Sequence, residues 1–205
     1  MKKKVKQVPK KMADITEEES LEQLLKRLGI VKWDCIIVGD GSGSNWSKGA
    51  GWSSVVIERE GERDINERSV WYGAVNRGTV NLGEIMAYLQ PLEWLVSREV
   101  TRRSDIGEVD AYHVHIITDS DYCRLVGNSN GGRILKKNAG LWSVFNAFAH
   151  LGFIIKWHWI PRASCELNRY CDELSKVARL NLKNTDLRKK TKEKRSVYEL
   201  NATED

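Results

Sequence analysis

The sequence predicts an α/β protein built on one five-stranded mixed sheet, a three-stranded antiparallel meander followed by two helix-linked parallel strands, with helices on both faces. Three observations carry this expectation. The β-rich segments "DCIIVGD", "GAGWSSVVIERE" and "RSVWYGAVNRG" follow one another with only glycine-bearing or charged turns between them, which suits a meander. Two later apolar runs, "YHVHIITD" and "FIIKWHWI", are each reached through helical stretches, and a parallel strand needs such a crossover. The 205 residues suffice for one ordinary domain with a real core and some tail.

In chain order, residues 1–12 hold six lysines and no acid and read as a disordered basic arm. "ITEEESLEQLLKRLGI" then sets Leu21, Leu24, Leu25 and Leu28 at helical spacing behind acids suited to a helix N-terminus. Arm and amphipathic helix make a leading segment, 1–32, and the meander opens a domain spanning 33–182. "NLGEIMAYLQPLEWLVSREV" is a long helix in which Pro91 predicts a kink. The strand "YHVHIITD" leads into a short helix, "SDYCRLVGN", and a loop at "NSNGG". "AGLWSVFNAFAHLG" places Leu141, Trp142, Phe145, Phe148 and Ala149 on one helical face and stops at Gly152. After "FIIKWHWI" comes a last helix, "NRYCDELSKVARLNL", and a charged tail fills 183–205. The order is βββαβααβα, with no internal repeat.

Composition narrows the function classes. No run of about 18 apolar residues exists and no apolar stretch follows the N-terminal lysines, so the expectation is a cytoplasmic protein with neither membrane span nor signal peptide. Cys35, Cys123, Cys165 and Cys171 form no CxxC pair, which argues against a disulfide scaffold or a zinc site. The net charge of +5 belongs to the ends: the body between residues 12 and 183 holds 20 basic and 23 acidic residues. Basic arms suit a polyanion and are also ordinary solubilising tails.

Four carboxylates are placed where chemistry could use them. Asp40 and Asp119 end the strands "IIVGD" and "HIITD", and ligands in such sheets sit beyond the carboxyl ends of parallel neighbours. In the long helix, Leu82, Ile85, Leu89, Leu92 and Val96 define the buried stripe, and Glu84 lies at its edge near the N-terminal end. With Asn168 as N-cap, Asp172 falls in the first turn of the last helix, whose apolar side carries Leu174, Val177 and Ala178. Clustered carboxylates raise one another's pKa unless a cation joins them. Hard divalent ions, Mg²⁺ or Mn²⁺, are the natural partners, and a pair of them about 3.5–4 Å apart is the usual device for displacement at phosphorus.

At this point the residues resemble a known family, the type 1 ribonucleases H, in the RNase H-like fold superfamily. "VGDGSG" resembles its DGS strand, "TVNLGEIMAYLQPLEWL" its helix with an inward Glu, and "ITDSDYC" its TDS motif. "NAGLW" resembles the start of the next helix, and "IKWHWIPRASCELNRYCDELS" the last strand, loop and Asp-bearing helix. The matches span about residues 33–180 in the family order. The resemblance implies that Asp40 bridges two metal ions, that Glu84 and Asp119 hold one, and that Asp172 helps hold the ion that activates water. It implies endonucleolytic hydrolysis of the RNA strand of an RNA/DNA hybrid, leaving 5′-phosphate and 3′-hydroxyl ends. Gly41, Ser42 and Gly43 would lie against the RNA strand, and Asn81 would touch the hybrid.

The chain also departs from the family pattern. The loop "PRASCELN" lacks the histidine common near the last carboxylate, and Arg162 is the nearest candidate for its role; His158 sits within a strand. Asp121 stands where glutamine is common and Val80 where a second asparagine often occurs. No long basic insertion precedes "NAGLW"; only "RILKK", with Arg133, Lys136 and Lys137, remains, so the N-terminal lysines are the candidate source of salt-dependent affinity. Trp46, in the polar loop after the first strand, is a candidate for stacking on a base or sugar, whereas Trp52, Trp71, Trp142, Trp157 and Trp159 read as core or sheet-face residues. His113 and His115 alternate on one strand and read as structural. Two rivals stay open: a nuclease of this fold acting on a DNA junction or single strand, and a non-catalytic binding module, which often loses a ligand acid where this chain keeps all four.

Overall fold

The computed structural model describes residues 17–43, 49–60, 65–106, 110–129, 138–184 and 198–200. Trp46, the lysine arm, "RILKK" and most of the charged tail lie outside them.

The apolar run Cys35–Val38 does not alternate, the pattern of a strand covered on both faces, and it lies in the central strand β1 (Cys35–Gly43). Antiparallel to it runs β2 (Ala50–Glu60), and antiparallel to that β3 (Ile65–Val75). On the other side β4 (Tyr112–Thr118) pairs parallel with β1, and β5 (Phe153–Trp159) parallel with β4. The spatial order β3-β2-β1-β4-β5 is a five-stranded mixed sheet, a meander joined to two helix-linked parallel strands, as expected. A sixth strand, β6 (Tyr198–Leu200), pairs antiparallel with β3; the sequence reading treats those residues only as tail.

Helices cover both faces. On one lies α2 (Val80–Ile106) with α3 (Asp121–Gly127) and α4 (Ala139–Ala149), packing Ile85, Tyr88, Leu92, Trp142 and Phe145 against Ile37, Ile116 and Trp157. On the other lie α1 (Glu17–Leu28) and α5 (Glu166–Asn184), which bury Leu21, Leu24, Leu167 and Leu174 against Ile36, Val38 and Ile117. Pro91 is buried within α2, which continues as one 27-residue helix to Ile106, past the end the sequence suggests. The last helix begins at Glu166 rather than at an Asn168 N-cap, so Asn168 is its third residue.

The main correction concerns residues 41–43. The glycine-serine cluster reads as a turn, yet β1 continues through Gly43, with Asp40 opposite Ser53 and Gly43 opposite Ala50. Parallel pairing with β4 stops at Val38 and Ile117, so beyond that point β1 leans on β2 alone. The glycines serve packing there. Gly39, Gly41 and Gly43 are alternate residues of one strand and face α2: a Cβ on Gly41 would lie 2.2 Å from the backbone nitrogen of Glu84, and one on Gly43 2.7 Å from that of Val80. On the opposite face a Cβ on Gly51 would lie 2.0 Å from the carbonyl oxygen of Ser175 in α5. Both helices therefore close directly onto main chain at this end of the sheet.

Replacing Gly41 with Ala is expected to push α2 off β1 and to cost about 3 kcal/mol or more, since the clash is with backbone that cannot rotate away. Urea unfolding checks this; Gly140→Ala, where a Cβ meets nothing within 4 Å, is the control expected to be near neutral.

Candidate metal centre

The gap left where β1 and β4 part is lined by acids. Asp40 projects toward α5 and is 2 % exposed, and Glu84 reaches in from the first turns of α2, 7 % exposed. Asp119 follows the last residue of β4 and is half-buried. One ligand oxygen from each of these three lies within 4.8 Å of the others, and among the described residues they are the one His, Cys, Asp or Glu group so arranged. Asp172, in the second turn of α5, adjoins them through a hydrogen bond shared with Asp40. All four sequence-predicted acids are thus brought to one place.

Hydroxyl groups fix α5 at that distance. Ser42 Oγ donates to the Ser175 carbonyl at 2.8 Å and Ser53 Oγ to the Cys171 carbonyl at 2.6 Å, both buried. On the other face the Tyr88 hydroxyl donates to the Gly39 carbonyl at 2.7 Å, one helical turn beyond Glu84. Ser42 is therefore spent on holding a helix, and the missing side chains at Gly41 and Gly43 admit α2. This packing role stands beside the expected contact of the same segment with a nucleic-acid backbone. Asn81 is exposed at the start of α2, one turn before Glu84.

Charge is unevenly balanced in the cluster. Burial, then the negative charges of Asp119 and Asp172, pushes Asp40 up to about 8, with the Gly41 N–H opposing. Burial also drives Glu84 well above the usual carboxyl range, helped by Asp40 and Asp119. Burial raises Asp119 too, against the pull of Arg162 and Asn168. Asp172 goes the other way: burial would raise it, but Lys176 and Arg162 outweigh burial and hold it below the usual range. Arg162 Nη2 lies 3.1 Å from Asp172 Oδ1, and Lys176 Nζ binds Asp172 Oδ2. Asp172 is accordingly held toward its ionised form and Asp40 toward its neutral one.

Two oxygens in this cluster, Asp40 Oδ2 and Glu84 Oε2, are buried with no hydrogen-bond partner in the protein. Leaving such an atom unpaired is costly, and an all-oxygen donor set with spare lone pairs is what hard divalent cations take. The residues fit Mg²⁺ or Mn²⁺.

Sequence reasoning missed several parts of this arrangement. Asn168, 1 % exposed, accepts from the Ala163 N–H at 2.9 Å, shaping the loop that carries Arg162, where Ala163 holds a φ of 54°. Lys176 was detectable, standing four residues after Asp172 on the same helix face. The histidines are structural, as expected for His115: its Nε2 lies 3.0 Å from the Lys32 carbonyl, so it carries the proton, and its Nδ1 accepts from His158 Nε2 at 2.8 Å. Burial and the neighbouring His158 push His115 down to about 4, keeping the pair neutral.

Comparison with family models gives no match, and comparison with curated proteins gives none. Solved structures do match. The N-terminal RNase H domain of Rv2228c from Mycobacterium tuberculosis, solved as a fusion with maltose-binding protein, is 21% identical, covering 75% of this chain and 98% of that one, at a TM-score of 0.48. LC11-RNase H1, isolated from compost by a metagenomic approach and solved in complex with an RNA/DNA hybrid, is 22% identical, covering 72% and 97%, at 0.48. RNase H1 from the halophilic archaeon Halobacterium salinarum is 18% identical, covering 72% and 98%, at 0.41. The likeness is to RNase H domains. It is a likeness of fold, and the chemistry has to be argued from this chain's own carboxylates.

A carboxyl whose pKa rises on folding holds its proton more tightly folded than unfolded. Its contribution favours the folded state at low pH and is lost as pH climbs from about 4 through about 8. In chelator, Asp40→Asn is therefore expected to stabilise the protein by on the order of 1–3 kcal/mol at pH ~8 and by little near pH ~4. Urea titrations at the two pH values measure the difference.

Proposed function

We propose that the chain is a divalent-metal-dependent endonuclease that hydrolyses the RNA strand of RNA/DNA hybrids. One observation carries the reading: Asp40, Glu84 and Asp119, with Asp172 beside them, come together at the open end of the sheet, two of them with buried oxygens that no group among the described residues satisfies. A purely structural cluster has no use for that cost. A non-catalytic module has no need of all four acids.

Asp40, Glu84, Asp119 and Asp172 would hold two ions, with Asp40 as the bridge. Bound there, Mg²⁺ or Mn²⁺ supplies an attacking water of lowered pKa and stabilises negative charge on the leaving oxygen. In the reaction the water oxygen forms a bond to phosphorus and the bond from phosphorus to the 3′-oxygen breaks. The 3′-oxygen takes up a proton, and a 5′-phosphate remains on the other fragment. Arg162, 72 % exposed at its side chain, keeps donors available to a phosphate while one of its nitrogens anchors Asp172. Lys176 orients the same carboxylate from the helix. Asn81, exposed one turn before Glu84, would donate to the bound strand. Among the described residues no helix is long and apolar enough to cross a membrane, and the proposed partner is nucleic acid, with the cytoplasm as the proposed location.

The test is cleavage of end-labelled RNA/DNA hybrid beside duplex RNA, duplex DNA and branched DNA, with Mg²⁺ or Mn²⁺. The hybrid is expected to be cut, leaving 3′-hydroxyl ends, and Asp40→Asn and Asp119→Asn are each expected to lose about 100-fold or more. Preferred cutting of branched DNA would move the reading to the junction nucleases, and equal cutting by the variants would remove these acids from the chemistry.

A further inference from the structure

The tryptophans of the described residues divide sharply. Trp33, Trp52, Trp71, Trp142 and Trp157 are buried and Trp94 is half-buried, but Trp159 is 42 % exposed. Its sequence setting reads as core or sheet face; it lies on the sheet, as the last residue of β5, but outside the core. Phe153 and Trp157 are fixed in the core on the α2 side of β5. Trp157 there is part of an aromatic stack, its ring 5.4 Å from Trp142 and from Phe145 and 5.3 Å from Tyr88. Two residues along, on the same face of the strand, Trp159 stands where that stack runs out.

Its position is held. Trp159 is the partner of Thr118 in the last rung of the β4–β5 pairing, and its Nε1–H donates to the carbonyl of Asp119 at 3.2 Å. The indole is thereby pinned against the main chain of a proposed metal ligand while much of its ring stays open. Three residues later comes Arg162, exposed, its Nη2 3.1 Å from Asp172 Oδ1 in the same acidic cluster. A held aromatic face and an exposed guanidinium with donors left over from its pairing with Asp172 are two elements that single-strand and sugar-face recognition uses. An indole held against main chain by its N–H while part of its ring stays open has a face to offer a flat partner.

We propose that Trp159 is a stacking platform for a base or sugar of the bound nucleic acid, beside the site built on Asp119. The proposal deepens the nuclease reading and rests on it for the identity of the ligand. Stacking needs an aromatic face and not the indole N–H, whereas a role in positioning Asp119 needs the N–H and not the face. Phe and Leu at this position separate the two.

The experiment uses the full chain and a fluorescein-labelled RNA/DNA hybrid, with binding followed by anisotropy in Ca²⁺ and cleavage by steady-state kinetics in Mg²⁺. Trp159→Leu is expected to raise Kd and KM about 10-fold with kcat within about twofold of the parent. Trp159→Phe is expected to stay within about threefold of the parent in Kd and KM, and both variants to keep its thermal midpoint within a few degrees, because the residue is exposed. Unchanged affinity in Trp159→Leu would overturn the proposal. So would a fall in kcat shared by both variants with Kd unchanged, the signature of a ring that only positions Asp119. Binding without cleavage by the parent chain would refute the nuclease reading and leave the anisotropy comparison to decide Trp159; no binding by the parent would overturn both.

Discussion

The site depends on the absence of a side chain at Gly41. A helix packed on a sheet is normally held off it by the side chains that fill the space between. Here a Cβ at Gly41 would fall 2.2 Å from the Glu84 nitrogen, so α2 rests on the strand itself. Only that approach lets the short Glu84 side chain reach Asp40 across the strand. Gly39 and Gly43 extend the bare track, the Tyr88 hydroxyl fastens the helix to it, and Gly51 repeats the arrangement under α5. Parallel pairing between β1 and β4 ends at Val38 and Ile117, just before Asp40 and Asp119, so the two carboxylates emerge into the opening that the departing strands leave.

Electrostatics then divides the acids into two kinds. Burial and mutual repulsion keep Asp40 and Glu84 toward their neutral forms in the metal-free protein. Asp172 keeps its charge because Lys176 and Arg162 lie on its two oxygens. The cluster without a cation is thus a compromise, in which protons and two basic side chains stand in for divalent charge. Replacing the protons with ions relieves both the repulsion and the two unpaired oxygens, which is a physical reason for metal affinity that needs no analogy.

Much of this was legible in the sequence. The four acids could be placed because each sits at a recognisable point of a recognisable element: two strand ends, the rim of a helical stripe and the start of a helix. The meander and the two helix-linked strands followed from the order of the segments, and the pairing of β4 beside β1 is the sheet's own. What escaped is non-local. Glycine and serine after Asp40 carry the same local signal whether they turn the chain or admit a helix, and only the α2 backbone decides. Asn168 looked like a cap because nothing local shows that the helix begins two residues earlier and that its side chain binds Ala163. The His115–His158 pair joins residues 43 apart, and the exposure of Trp159 depends on where neighbouring helices end.

The central claim, that these carboxylates form a site completed by divalent cations, is tested most directly by calorimetric titration of the protein with Mn²⁺ at pH ~7, in two buffers of different ionisation enthalpy. Ion binding must displace the proton that burial and neighbouring charge hold on Asp40. The account predicts saturable binding whose heat depends on the buffer, corresponding to net proton release. Saturable binding with no proton release, or no saturable binding at all, would contradict it.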